Sequence, residues 1–191
     1  MNDDLVHRPA PRGKRLLAFF FDYLLIVAYF LVLAAVSLGL TAVVNPPPIS
    51  SPYVFDLIAF VTTVLPVILY FTLAEGGGRQ ATWGKRRVGI QVTAVDHKPL
   101  TYRQSFIRSL IKFAPWQIAH TSLFHIPGWP WAFETIGAAS LVGLVVAQGL
   151  ALLYILCLLF TPTGRTPYDW LAGTMVVARQ KNELPTMEHE T

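Results

Sequence analysis

The chain has 191 residues, 53% of them hydrophobic and 14% charged, with a formal net charge of +4. Soluble domains carry about a quarter charged residues, so this composition excludes an ordinary water-soluble domain and favours a small bundle of membrane helices. Cys157 is the single cysteine, which excludes an intramolecular disulfide and a cysteine metal cluster, and the five histidines lack the spacing that holds zinc on one helical face.

Where the charge lies is more informative than its sum. Residues 1–15 hold Arg8, Arg12, Lys14 and Arg15. Residues 75–112 hold Arg79, Lys85, Arg86, Arg87, Lys98, Arg103, Arg108 and Lys112, and residues 162–191 hold Arg165, Arg179 and Lys181. These are all fifteen Lys and Arg, so segments 16–74 and 113–161 have none. Nucleic-acid binding also uses basic clusters, but no binding module accompanies these, and nucleic acid is not expected as a partner. Because they flank apolar runs, the positive-inside rule puts all three segments in the cytoplasm.

After a basic cytoplasmic N-terminus at 1–15, the almost unbroken apolar run from Leu16 to Val44 gives a first span at about 16–40. A secretory signal peptide is the rival, but its apolar core is only about 7–15 residues. The prolines of NPPPISSP, Asn45 to Pro52, end the helix in an extended outer loop. A second span follows at about 57–74, with Pro66 predicting a kink or a tolerated membrane proline. In the polar stretch from Glu75 to Gln104, GIQVTAV and the turn DHKP predict a short strand or hairpin at the cytoplasmic surface.

Thr101 and Gln104 have capping-box spacing and open a third helix at about 102–126. Its basic, amphipathic start suits a helix lying on the membrane surface. Parity argues for crossing, because the last span, at about 135–160, leads into a basic C-terminal segment that should also be cytoplasmic. The aromatic stretch PGWPWAF, Pro127 to Phe133, then forms the outer turn, and 181–191 is a flexible tail. The fold class read from the sequence is all-α transmembrane: a four-helix polytopic bundle with a short β-hairpin-like cytoplasmic loop. Three spans with a surface helix is the alternative.

Two segments that follow spans align without gaps. TWGKRRVGIQV, Thr82 to Val92, and TPYDWLAGTMV, Thr166 to Val176, share Thr82 with Thr166, Gly89 with Gly173 and Val92 with Val176. Each would close a two-span hairpin on the same side, as in a parallel repeat. Lys85 falls opposite Asp169, and the two are expected to pair.

Asp22 lies about 9 Å into the first apolar run at about 1.5 Å per residue. An aspartate at that depth faces the bundle interior or a wet cavity, beside a cation or protonated. Arg15, two helical turns earlier on the same face, is one candidate partner, and Arg108 or Lys112 are others. Packing through a buried ion pair, ion or proton handling, and contact with a lipid headgroup or protein partner are the readings of Asp22. In GRTPYDWLAGT, Asp169 has the spacing of a helix-capping residue behind Thr166 and Pro167.

KRLLAFFFDYLLI, TWGKRRVGIQVTAVD and GRTPYDWLAGTMVV together resemble the RDD family of membrane proteins, over about residues 10–180. The resemblance matches that family's arginine and two aspartates to Arg15, Asp22 and Asp169. It also matches a GK-x-x-x-G motif to Gly84, Lys85 and Gly89, and an A-G-T motif to Ala172, Gly173 and Thr174. Tyr168 stands where relatives often have histidine, and DHKP where a D-G turn is usual. The resemblance implies a bacterial inner-membrane protein, and some relatives are associated with cation/proton exchange. That both termini are cytoplasmic is expected from the charge distribution and the parity of the spans.

Two functions compete. One is transport of a small ion or solute, such as cation/proton exchange, through the charge cluster of Arg15, Asp22 and Asp169, supported by Lys85, Gly84, Gly89, Arg108, Gly173 and Thr174. A chain this short would act as a homo-oligomer. The other is a non-catalytic scaffold or accessory protein whose basic 75–112 loop binds anionic lipid headgroups or a partner. No nucleophile elbow, P-loop or metal motif stands out, so neither enzyme activity nor a cofactor is expected.

Overall fold

The computed structural model describes residues 8–46, 49, 51–129 and 135–179. Helix α1 spans Arg12–Val44 and stops where Asn45 turns left-handed before Pro46. At 33 residues it is longer than a bilayer core requires, so its basic first turn extends past the apolar run. The second apolar segment is continuous from Pro52 to Gly76 but not uniform. Helix α2 (Pro52–Ala59) passes through a π-helical turn at Phe60–Val64 into α3 (Leu65–Gly76). Pro66 has no N–H for the ladder, and the wide turn just before it absorbs the defect that the proline creates. The freed carbonyl of Thr62 accepts the Tyr29 hydroxyl of α1 at 2.5 Å.

Helix α4 (Trp83–Arg87) and strand β1 (Ile90–Ala94) follow. Helix α5 runs Tyr102–Phe124 and opens on the Thr101/Gln104 capping box expected from the spacing. Helix α6 spans Ala138–Phe160, and α7 (Pro167–Leu171) leads into β2 (Thr174–Ala178). Of the expected loops, residues 47, 48 and 50 of NPPPISSP, residues 130–134 of the aromatic turn and the tail 181–191 lie outside the described residues.

Among the described residues, three segments are long and apolar enough to cross a membrane: α1, Pro52–Gly76 and α6. Their large side chains face outward, among them Leu31, Leu38, Val43, Val142 and Val145. So much exposed aliphatic surface suits lipid rather than water. Helix α5 lies between the second segment and α6. Near one end, Ser105 donates to the carbonyl of Thr72 at 3.0 Å. Near the other, Gln117 and Thr121 donate to the Asp56 carboxylate at 3.1 and 2.9 Å. It therefore runs antiparallel to α2 and α3 over their joint length. Tyr154 on α6 donates to the Ile111 carbonyl at 2.9 Å.

The expected hairpin is not what forms. Strand β1 is where GIQVTAV predicts it, but it pairs antiparallel with the distant β2 instead of folding back locally. Val92 stands opposite Val176, the same two residues that coincide in the sequence alignment. A half-turn about that pair exchanges the two segments, so the repeat is a local two-fold arrangement. Each copy reads alike: a threonine N-cap, a five-residue helix, a left-handed glycine and a strand. Gly89 at φ +69° and Gly173 at φ +64° supply the turn from helix to strand that a side chain would strain. The N-terminus adds to the sheet, with Pro9 bridging Val177, and Ala10, Ala18, Ile90, Val92, Leu100 and Val176 form the core beneath.

Candidate functional site

At the end of the bundle that carries the sheet, five buried charged side chains alternate in sign. Lys85 on α4 pairs with one oxygen of Glu75, and Arg108 on α5 pairs with the other. Arg108 Nε also reaches Asp169 Oδ1 at 3.0 Å, and Asp169 Oδ2 takes Arg15 Nη2 at 3.2 Å. The line ends where Arg15 donates to the Gly164 carbonyl. Glu75 and Asp169 are fully buried, and Arg108 is 2% exposed. In a low-dielectric interior such groups persist only when each charge meets an opposite one and its remaining polar atoms find partners. The alternation achieves this, with Arg108 on α5 as the hub joining Glu75 to Asp169.

Asp169 is the most completely held. Besides the two arginines, it accepts the Thr166 amide at 3.2 Å and hydroxyl at 2.8 Å, which completes the expected capping box, and the Thr174 hydroxyl at 3.2 Å. Burial by itself pushes this carboxyl up. The Arg108 and Arg15 guanidiniums, aided by the Thr166 hydrogen bonds, outweigh it and hold the group down to about 2. Lys85 moves down from the usual lysine range because burial outweighs the nearby Glu75 carboxylate.

Asp22 has a different environment. It shares the buried face of α1 with Arg15 and Ala18, as the spacing requires. Neither Arg15, Arg108 nor Lys112 pairs with it, which corrects the expectation of a cation beside it. Its partners are neutral: Tyr70 Oη at 3.0 Å, Thr82 Oγ1 at 2.6 Å and the Gly84 amide at 2.8 Å. Two of these groups open α4, so the carboxylate caps that short helix from another chain segment, favourably placed at its positive end. Gly84 is required by the closeness. A Cβ there would fall on the Ala18 carbonyl and within 2.9 Å of the Asp22 carboxylate. Among the described residues, Asp22 is thus the one fully buried acid with no ion-pair partner, since Glu75 and Asp169 have two each.

The expected Lys85–Asp169 pair does not form. Each instead meets a partner from α3 or α5, and Glu75 and Arg108 bridge the gap between them. Lys112, one turn beyond Arg108, lies 3.5 Å from the centroid of the Phe71 ring. Sequence reasoning missed Glu75, which looked like the first residue of a polar loop. Its signal was an acid at the last turn of an apolar helix, where a buried partner is needed if the helix end packs inward. Next to Tyr70, a cleft of about 440 Å³ opens between α1 and α3, lined by Leu25, Ile26, Tyr29, Pro66 and Val67.

Apolar helices with lipid-suited surfaces around a buried charge cluster define an α-helical membrane protein. The model of the RDD family matches residues 9–173, and the chain belongs to that family. Comparison with curated proteins and with solved structures gives no match.

Proposed function

We propose that the chain is a four-span protein of the bacterial inner membrane, with both termini cytoplasmic, that exchanges a small cation for protons at Asp22. The observation that carries this reading is the asymmetry among the three fully buried acids. Glu75 and Asp169 are each neutralised by two cations, whereas Asp22 is held by hydroxyls and an amide alone. A carboxylate without a fixed counter-ion is free to take a proton or a cation in turn. The oxygens of Tyr70 and Thr82 beside it are ligands suited to Na⁺ or K⁺. A fourth crossing by α5 is supported by its antiparallel course along the full second segment, with its basic residues gathered at the end that carries the sheet.

The test is proteoliposome flux with wild type beside Asp22→Asn. Asparagine retains an acceptor for Gly84 and loses the charge. Proton-coupled Na⁺ or K⁺ movement in wild type, lost in a variant that still melts cooperatively, supports exchange. No flux from wild type rejects it.

The capping of α4 by Asp22 favours a second reading, a non-catalytic membrane scaffold in which the buried charges only lock the hairpins together. In that case Asp22→Asn lowers thermal stability and wild-type protein moves no ion.

A further inference from the structure

The eight basic residues of 75–112 are not equally available. Lys85 and Arg108 are spent on buried carboxylates, and Lys98 pairs with Asp96. Arg87 lies over the Trp83 ring and Lys112 over Phe71. Three have neither an ion pair nor a ring contact among the described residues: Arg79, Arg86 and Arg103.

Two of those three share one recess. A hollow of about 250 Å³ lies between the last turn of α3 and the start of α4, lined by Leu73, Ala74, Gly77, Gly78, Arg79 and Arg86. The Nε of Arg86 is buried and has no hydrogen-bond partner. A buried guanidinium N–H without an acceptor is costly, and nearly all such groups have one in native proteins. Two guanidiniums at one hollow match the tetrahedral oxygens of a phosphate, which arginine binds through paired N–H groups. The hollow also sits at the end of an apolar span. Leu73 at its rim is 61% exposed, and Leu69, one turn deeper on the same face, is 44% exposed. Together they make an apolar lane leading away from the arginines, which a free anion would not use.

We propose that this recess binds the phosphate of an anionic membrane phospholipid, with Arg79 and Arg86 on the headgroup and Leu73 and Leu69 beside an acyl chain. The assignment rests on the chain being embedded in a membrane and is independent of ion movement.

The test titrates purified full-length protein in a non-ionic detergent with short-chain phosphatidylglycerol, phosphatidylcholine and inorganic phosphate, read by native mass spectrometry. Phosphatidylglycerol should bind saturably and more tightly than either of the others. Arg79→Gln and Arg86→Gln should each weaken it about fivefold, the ratio that corresponds to about 1 kcal/mol per basic residue near a lipid surface. Arg103→Gln, outside the recess, should leave it unchanged. Arg79 is an exposed loop residue, so its variant keeps the test decisive if Arg86→Gln fails to fold. Equal weakening by Arg103→Gln would mean diffuse charge attraction and overturn the site, as would wild-type binding by the Arg79 variant. Inorganic phosphate binding as tightly as phosphatidylglycerol would overturn the lipid assignment.

Discussion

The carboxylate of Asp22 accepts the backbone amide of Gly84 at 2.8 Å, joining α1 to α4 through residues 62 apart in the chain. The contact is close because Gly84 has no side chain. Gly84→Ala would press a methyl group onto Ala18 and Asp22. It is expected to cost about 1–3 kcal/mol, the range for overpacking, and to lower the melting temperature in detergent. A variant as stable as wild type would show that α4 can shift away from α1 freely.

Glu75 links Lys85 to Arg108. Glu75→Gln leaves two buried cations short of a partner. Breaking a buried pair from one side costs about 3–5 kcal/mol, so this variant should be severely destabilised or fail to accumulate in membranes. Lys98→Gln, which removes an exposed pair with Asp96, should be almost silent in the same melting assay.

Arg108 serves two carboxylates, whereas Arg15 serves one and a carbonyl. Arg108→Met is therefore expected to destabilise more than Arg15→Met. Thermal melts of the two variants side by side decide the order, and equal losses would remove Arg108 as the hub.

The Asp169 carboxyl is held down to about 2 from its ordinary 3.8. Its contribution to stability is fully present above about pH 4 and is lost as pH falls towards 2, because protonation then becomes as easy in the folded chain as in the unfolded one. The shift corresponds to about 2 kcal/mol. Melting temperatures measured from pH 5 to pH 2 should fall more steeply for wild type than for Asp169→Asn, which starts lower and has no carboxyl here to titrate.

The topology has its own check. In a Cys157→Ser background, Thr135→Cys should react with a membrane-impermeant maleimide added outside whole cells, and Asp96→Cys should react only after lysis. Reaction of both from outside would reject four spans with cytoplasmic ends.

Much of this was legible in the chain itself. The helices at Leu16–Val44 and Ala138–Phe160 follow from apolar length, because only a helix satisfies its own backbone groups over such a run. The Thr101/Gln104 and Thr166/Asp169 boxes are local, formed by residues three apart, so their spacing announces them. The shared Thr, Gly and Val of the two segments likewise foretold two copies of one small motif. Which charges would meet was decided only in three dimensions. Glu75 could have ended in solvent, and Asp22 had three plausible cations and met none. The partner of β1 comes from a segment about eighty residues away in the chain, and the arginines that hold Asp169 lie 61 and 154 residues away. Buried charges select neighbours by distance and by the competing demands of every other group in the same small volume, and a linear pattern of residues does not contain those distances.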